Sequence, residues 1–144
     1  MSLAETISPM IGRWVIAWFF LSEAYTRAAN WNGTIELMAM RHIPDAPPLF
    51  ALALLAMVVG GLALLFGYHV RHGAMVLFAF TVATTIIMHD YWNITNAIDR
   101  AAEYDVFARN MAIAGGLLLL VGMGAGPLAI DNRAGGGGKK RRSY

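Results

Sequence analysis

The amino-acid sequence predicts an all-α membrane protein, a bundle of four transmembrane helices with short interfacial helices in its two long loops. The first observation behind this prediction is composition, since 58% of the 144 residues are hydrophobic and only 14% are charged. A soluble domain carries about 25% charged residues. The second observation is four long apolar stretches in a chain of single-domain length, each close to the ~20 residues that a helix needs to cross a bilayer.

The four predicted spans follow one another between short polar segments. The second span has no charged residue, and the first contains charges only near its ends, at Arg13 and Glu23. We expect Arg13 to reach water at the nearer membrane surface with its long side chain. The spans lie at about residues 11–25, 49–66, 73–88 and 111–130, within a membrane domain of residues 1–133 that precedes a flexible, Gly-rich basic tail of residues 134–144.

The two long loops are predicted to contain short helices at the membrane surface. Residues 31–41 place apolar side chains on one stripe, and the prolines after them end the helix and begin the second span. Residues 99–110 form a second such helix, with Glu103 facing water. Tyr91 and Trp92 are suited to headgroup depth, where aromatic side chains anchor membrane proteins.

The distribution of basic residues predicts a multi-pass protein with both termini in the cytoplasm. Lys and Arg are enriched in the cytoplasmic loops of membrane proteins. The side that holds the termini would carry seven of the eleven basic residues, against four on the side of the long loops. The seven are Arg13, Arg71, Arg133, Lys139, Lys140, Arg141 and Arg142, and the four are Arg27, Arg41, Arg100 and Arg109.

All the lysines of the chain lie in one basic run near its C-terminus, Lys139-Lys140-Arg141-Arg142. A nucleic-acid-binding protein spreads its basic residues over a folded face, so we expect no nucleic-acid partner. We expect the run either to contact anionic lipid of the bilayer or to bind a partner protein.

Ionisable residues that border membrane spans are candidates for function because they are costly to place there. Glu23 and Arg27 are spaced to pair on one helix face, either as an anchor for the following loop or as the floor of a small pocket. His89 and Asp90 close the third span, where the histidine can relay protons, bind a quinone carbonyl or cap the helix end. The candidate polar pocket comprises Glu23, Arg27, His89, Asp90, Trp92, Arg109 and Asn110.

The residue types restrict the cofactors that the chain can hold. The absence of cysteine excludes zinc–thiolate sites, iron–sulfur clusters and thiol catalysis. A haem with two axial histidines needs them at one depth on facing helices, whereas His69 and His72 flank one end of the third span and His89 the other. We therefore expect no haem and no metal site, and quinone is the candidate cofactor.

Six short motifs resemble, in order along the chain, those of the DoxX family of small four-helix membrane proteins. The Phe-Leu-Ser-Glu end of the family's first span is matched in full, and its His-x-Phe-Trp motif is matched as His-Asp-Tyr-Trp. The match covers about residues 11–133. The six segments are Gly12-Arg13, Phe20-Leu21-Ser22-Glu23-Ala24-Tyr25-Thr26-Arg27, His42-Ile43-Pro44, Gly60-Gly61-Leu62, His89-Asp90-Tyr91-Trp92 and Arg109-Asn110-Met111-Ala112.

The resemblance implies a place in the bacterial inner membrane and an association with redox chemistry, such as thiosulfate:quinone oxidoreductase systems. On this basis we expect a subunit of a quinone-linked oxidoreductase complex, and not an enzyme acting alone. One departure puts the implied activity in doubt, because Met57 stands where many relatives carry a glutamate shortly before Gly60-Gly61.

Two other function classes stay open. A non-catalytic assembly or scaffold subunit would use small-residue helix faces to bind other membrane subunits or a second copy of itself. A transporter is less favoured, because 144 residues give one small bundle without a visible inverted repeat.

Overall fold

The computed structural model describes residues 3–131, and this part of the chain is all-α, as predicted. It contains five α-helices and one 3₁₀ turn, and it has no β-strand. The helices are α1 (Leu3–Ala29), α2 (Trp31–Met40), α3 (Ala46–Phe66), α4 (Val70–Met88) and α5 (Ala97–Met123), and the 3₁₀ turn is Tyr91–Asn93.

Three helices are long and apolar enough to cross a membrane, namely α3, α4 and α5. Helix α1 has 27 residues, about 40 Å at 1.5 Å per residue, so its length also suffices. Its composition is not apolar enough for it to be counted with these three helices. It carries Arg13, Glu23 and Arg27 within its length. The number of spans therefore depends on how these charges are accommodated.

Helix α2 is present where the sequence predicts a short helix after the first span. Its Met38 packs with Ala46 and Phe50 of α3 in a small apolar cluster, and the Trp31 and Phe50 rings are 4.8 Å apart. Pro47 follows the first residue of α3, a position where a missing N–H costs no helical hydrogen bond.

The second long loop differs from its prediction, because residues 99–110 and the fourth span form one continuous helix, α5. The side chain of Asn96 caps its start by accepting the Ile98 N–H at 2.9 Å. No proline interrupts the chain between these residues and Met123, so the helix continues. It ends before residue 130 because Gly124 and Gly126 adopt φ of 81° and 78°, values that glycine accommodates at helix ends.

The core lies between the four long helices. Its fully buried side chains include Phe20 of α1, Leu64 of α3, Leu77 of α4 and Leu117 of α5. Helices α3 and α4 approach closely because Gly60 has no side chain, and a Cβ there would lie 2.5 Å from Leu77 Cγ. Small residues allow the same close approach in other membrane bundles.

The bundle has two ends, which differ in how the helices are connected. At the turn end, α3 passes into α4 through residues 67–69, beside the first part of α1 and the segment 124–131 that follows α5. At the loop end lie α2, the 3₁₀ turn and the start of α5. Charged residues gather at both ends, in different arrangements.

Candidate functional site

The main polar cluster of the loop end joins the end of α2, the end of α4 and the start of α5. Arg41 pairs with Asp90 through Nη1, and its Nη2 lies 3.3 Å from Glu103 Oε1. His89 Nδ1 lies 3.2 Å from the same oxygen of Glu103. Asn93 donates to Asp90 Oδ2 at 3.0 Å. We call these five residues the His89 cluster.

The hydrogen bond between His89 and Glu103 defines the chemistry of the cluster. An ionised carboxylate only accepts hydrogen bonds, so this bond places the imidazole proton on Nδ1 and leaves a lone pair on Nε2. The two side chains are 25% and 23% exposed, so both are accessible while partly shielded from water.

Asp90 lies in the loop beyond the last residue of α4. Its carboxylate accepts hydrogen bonds from Asn93 and from Arg41. These bonds, that of Asn93 before that of Arg41, stabilise the ionised form and hold the pKa of Asp90 below its ordinary value. Asp90 is therefore a fixed negative charge that keeps the guanidinium of Arg41 in the cluster.

Aromatic rings lie beside the His89 cluster. The Tyr91 ring is 5.2 Å from those of Trp92 and Tyr104 and 5.1 Å from that of Phe107, all edge to face. Tyr91 and Tyr104 also line a surface groove of about 270 Å³ beside Arg100. The loop end thus presents imidazole, carboxylate and aromatic surface next to one another.

Two threonines extend polar character from the cluster into the bundle. Thr85 and Thr81 precede His89 by four and eight residues on α4, so all three share one helix face. Both threonines are buried, and neither hydroxyl has a hydrogen-bond partner among the described residues. Buried hydroxyls usually have one, so this face has unused hydrogen-bonding capacity below His89.

The structure brings together only part of the predicted pocket. Glu23 and Arg27 pair with each other at 3.0 Å and are 38% and 48% exposed, and within residues 3–131 no hydrogen bond or ion pair joins them to His89. Trp92 packs against Tyr91 and Phe107. Within the same residues, Arg109 and Asn110 have no ion pair or side-chain hydrogen bond with the cluster.

Three residues of the cluster, Arg41, Asn93 and Glu103, were not predicted as site residues. Glu103 was expected to face water and Arg41 was assigned only to a side of the membrane, yet together they connect His89 to Asp90. A sequence signal existed for Glu103, because it lies 14 residues after His89 across one tight connection. The predicted basic run Lys139-Lys140-Arg141-Arg142 lies outside the described residues.

The turn end contains the most buried charged residue of the described chain, Arg13. Its side chain is 2% exposed, so the expectation that it reaches water is wrong. Its Nη1 donates to the carbonyl of Ala125, while Nε has no hydrogen-bond partner within residues 3–131. A Cβ on Gly67 would lie 2.9 Å from Nη1, so the guanidinium fits only because this residue is glycine.

Asp131 completes the turn end by capping α4. Its carboxylate oxygens accept the N–H groups of His69 at 2.7 Å and Val70 at 3.0 Å, and its own N–H donates to the Gly67 carbonyl at 3.0 Å. A carboxylate at a helix N-terminus satisfies free donors and interacts favourably with the helix dipole. Across residues 3–131, no group of three or more His, Cys, Asp or Glu side chains is placed to hold a metal ion.

Comparisons with known proteins identify the family of the chain. The family model for DoxX matches residues 8–90. The chain belongs to the DoxX family. It is 28% identical to the inner membrane protein YphA of Escherichia coli (strain K12) over 90% of this chain and 92% of that protein. It is also 28% identical to the inner membrane protein YqjF of the same strain, over 91% of this chain and 95% of that protein.

A second likeness covers the later part of this DoxX family member. The model of the SURF4 family matches residues 50–136. The ER-derived vesicles protein ERV29 of Saccharomyces cerevisiae (strain ATCC 204508 / S288c) is 29% identical over 53% of this chain and 24% of that protein. No solved structure gives a match. The resemblance deduced from the six motifs is confirmed, and the chain is a small integral membrane protein of this family.

Proposed function

We propose that this DoxX family member crosses the bacterial inner membrane four times, with α1 as the additional span and the turn end in the cytoplasm. The proposal is supported by the neutralisation of the charges in α1. Arg13 is buried against protein and donates to a carbonyl, and Glu23 pairs with Arg27. Paired or buried charges cost far less in a bilayer than isolated ones. The similar inner membrane proteins support the location.

The natural sequence has no cysteine, so single cysteines report topology directly. Ser2→Cys, Thr95→Cys and Ser143→Cys are to be labelled with a membrane-impermeant maleimide in spheroplasts and again after lysis. We expect Thr95→Cys to react in both samples, and Ser2→Cys and Ser143→Cys only after lysis. The opposite pattern contradicts the orientation, and labelling of Ser2→Cys in intact spheroplasts contradicts α1 as a span, because Ser2 and Thr95 then lie on the same side.

The function that the loop end supports best is that of a subunit of a quinone-linked redox complex, which binds a quinone headgroup beside His89. The observation that carries this proposal is the His89–Glu103 hydrogen bond at 3.2 Å, because it orients an imidazole with a free Nε2. The residues fit such a headgroup. Imidazole offers a hydrogen bond, and Tyr91 and Phe107 offer ring surface.

The residues of the cluster have separate roles in this proposal. Nε2 of His89 accepts a hydrogen bond from a hydroquinone hydroxyl, and Glu103 stabilises the positive charge if the proton is transferred. Arg41 holds Glu103 in place from the other side. A quinone, when bound, would supply two-electron redox chemistry at this site.

Binding of a short-chain benzohydroquinone, kept reduced in the absence of oxygen, to the purified full chain tests this function. We expect His89→Gln to weaken binding about tenfold, as for loss of one hydrogen bond to a group that becomes charged, and Glu103→Gln to weaken it less. Glu23→Gln is the matched control, since Glu23 lies outside the His89 cluster, and its binding stays at the wild-type level. Unchanged binding by His89→Gln contradicts the proposal.

An assembly role is the second candidate, and one observation favours it. Only 11% of the apolar window of α5 is buried, against 28% for α3 and 33% for α4, so α5 has the most surface for another subunit. Gly122 has open space around a Cβ. We expect Gly122→Leu to lose the subunits that copurify with the wild type in mild detergent. The comparison is made in chains with and without residues 135–144. A wild-type monomer without partners contradicts this role.

A further inference from the structure

The turn end contains a second site, independent of the His89 cluster at the opposite end. A cavity of about 700 Å³ opens between the start of α4 and the segment that follows α5. Its walls combine basic, apolar and backbone surface. They are formed by His69, Arg71, His72, Met123, Gly124, Ala125, Gly126, Pro127 and Asp131.

The side chains available to a ligand in this cavity are basic. Among the residues that the structure describes, Asp131 is the only acidic one in the lining, and its carboxylate oxygens already accept the N–H groups of His69 and Val70. Arg71 is exposed, and within residues 3–131 no ion pair neutralises it. His72 lies beside it in sequence and also lines the cavity. The cavity therefore combines one cation, Arg71, with one carboxylate whose oxygens already accept backbone N–H groups, so its basic side chains offer the donors that a ligand can use.

A glycine determines where the Arg71 guanidinium lies. A Cβ on Gly124 would be 3.2 Å from Arg71 Nε and 3.4 Å from Nη2, so the arginine rests against bare backbone. Gly124 has φ of 81°, which a residue with a side chain adopts only with strain. The same glycine thus ends α5 and gives Arg71 its place in the cavity wall.

The ends of the apolar helices indicate that the cavity lies at the depth of lipid headgroups. Helix α3 ends at Phe66, α4 begins at Val70 and α5 ends at Met123, so all three apolar helices terminate at this level. Trp14 and Tyr68 are exposed at the same end, where aromatic side chains mark the membrane–water boundary.

We propose that this cavity binds the phosphate of an anionic phospholipid, with Arg71 and His72 as its donors. Guanidinium groups recognise phosphate oxygens through charge-assisted hydrogen bonds. Met123, which lines the cavity, is 75% exposed and provides apolar surface for the start of an acyl chain.

Lipid retention by the full chain in mild detergent, measured by native mass spectrometry, tests the proposal. We expect phosphatidylglycerol to be retained over phosphatidylcholine, and Arg71→Gln to reduce this preference at least about fivefold, as for one basic residue at a membrane surface. Arg71→Lys keeps the charge and most of the preference. Arg100→Gln is the matched control, because Arg100 is an exposed arginine without an ion pair among the described residues at the other end.

Three results would overturn the assignment. The first is an unchanged preference in Arg71→Gln, and the second is an equal loss in Arg100→Gln, which would indicate unspecific attraction. The third is that inorganic phosphate alone raises the melting temperature of the wild type as much as phosphatidylglycerol does. If Arg71→Gln fails to elute as a folded species, His72→Gln is measured in its place, with a loss supporting the site and no loss opposing it.

Discussion

The two ends of the bundle use charge in opposite ways. At the turn end, Arg13 is buried and bonds a backbone carbonyl, while Asp131 bonds backbone N–H groups. At the loop end, Arg41, Glu103 and Asp90 bond other side chains and remain partly exposed. Side chains bonded to the backbone fix the chain path. Side chains bonded to one another at a surface can exchange their partners for a ligand.

This difference predicts which end of the bundle determines stability and which end binds a ligand. A buried charged group that loses its partner leaves an unsatisfied atom in a low-dielectric interior, which costs more than the loss of an exposed pair. We therefore expect substitutions at the turn end to change the free energy of unfolding most. Substitutions at the loop end should change ligand binding more than stability.

The largest expected effect is that of Arg13→Gln. The substitution removes the donor to Ala125 and leaves space beside Gly67, so we expect the free energy of unfolding in detergent to fall by about 2–3 kcal/mol. Arg100→Gln, at an exposed position, should change it by less than about 0.5 kcal/mol. If Arg13→Gln has the same free energy of unfolding as the wild type, the turn end does not have this structural role.

A smaller loss is expected for Gly67→Ala. Gly67 has φ of 71°, which costs a residue with a Cβ about 1–2 kcal/mol, and the new methyl would crowd Arg13 Nη1. In Gly122→Ala the methyl enters open space within α5, and we expect no loss, with a gain of up to about 1 kcal/mol from helix propensity. Equal destabilisation of the two variants, measured by chemical unfolding, would contradict the role of Gly67.

At the loop end, Glu103→Gln weakens the contacts to both His89 and Arg41. These groups are partly exposed, so we expect a loss of stability below about 1 kcal/mol, less than for either turn-end variant. Glu23→Gln disrupts one more exposed pair and should cost less again. Thermal unfolding of both variants in one detergent ranks them, and a loss in Glu103→Gln larger than that in Arg13→Gln would reverse the comparison.

The smallest expected effect is the contribution of Asp90 to stability as pH changes. Because hydrogen bonds lower its pKa in the folded state, its contribution is present above the ordinary Asp pKa of about 3.9. It is lost as pH falls below that value and through the folded pKa. Asp90→Asn lacks this contribution, so its melting temperature should fall less than that of the wild type between about pH 5 and pH 2. An equal fall in the melting temperature of the variant and the wild type would exclude a role for the Asp90 charge.

Local sequence patterns predicted the elements whose boundaries depend on local chemistry. The prolines before the second span mark the start of α3, and the uncharged run after them gives its length. The first predicted interfacial helix corresponds to α2. The six motifs indicated the family that the comparisons confirm over residues 8–90.

Prediction failed where contacts between distant segments decide the outcome. Arg41 and Glu103 are 62 residues apart in sequence, and only the packing of α2 against α3 and of α5 against α4 brings them together. Glu103 was expected to face water because residues 99–110 were treated as a separate surface helix. As part of α5, Glu103 lies beside His89 at the end of α4.

The sequence by itself determined the membrane class, the positions of most helices and the scarcity of charges, because these follow from local composition and periodicity. Tertiary structure decided what each charge does. Arg13 was expected to reach water, but it bonds a carbonyl 112 residues away. Which of the two occurs depends on the backbone groups that the fold leaves unpaired beside the arginine. The balance between hydration of the arginine and its hydrogen bond to the backbone is therefore decided only when the helices have packed.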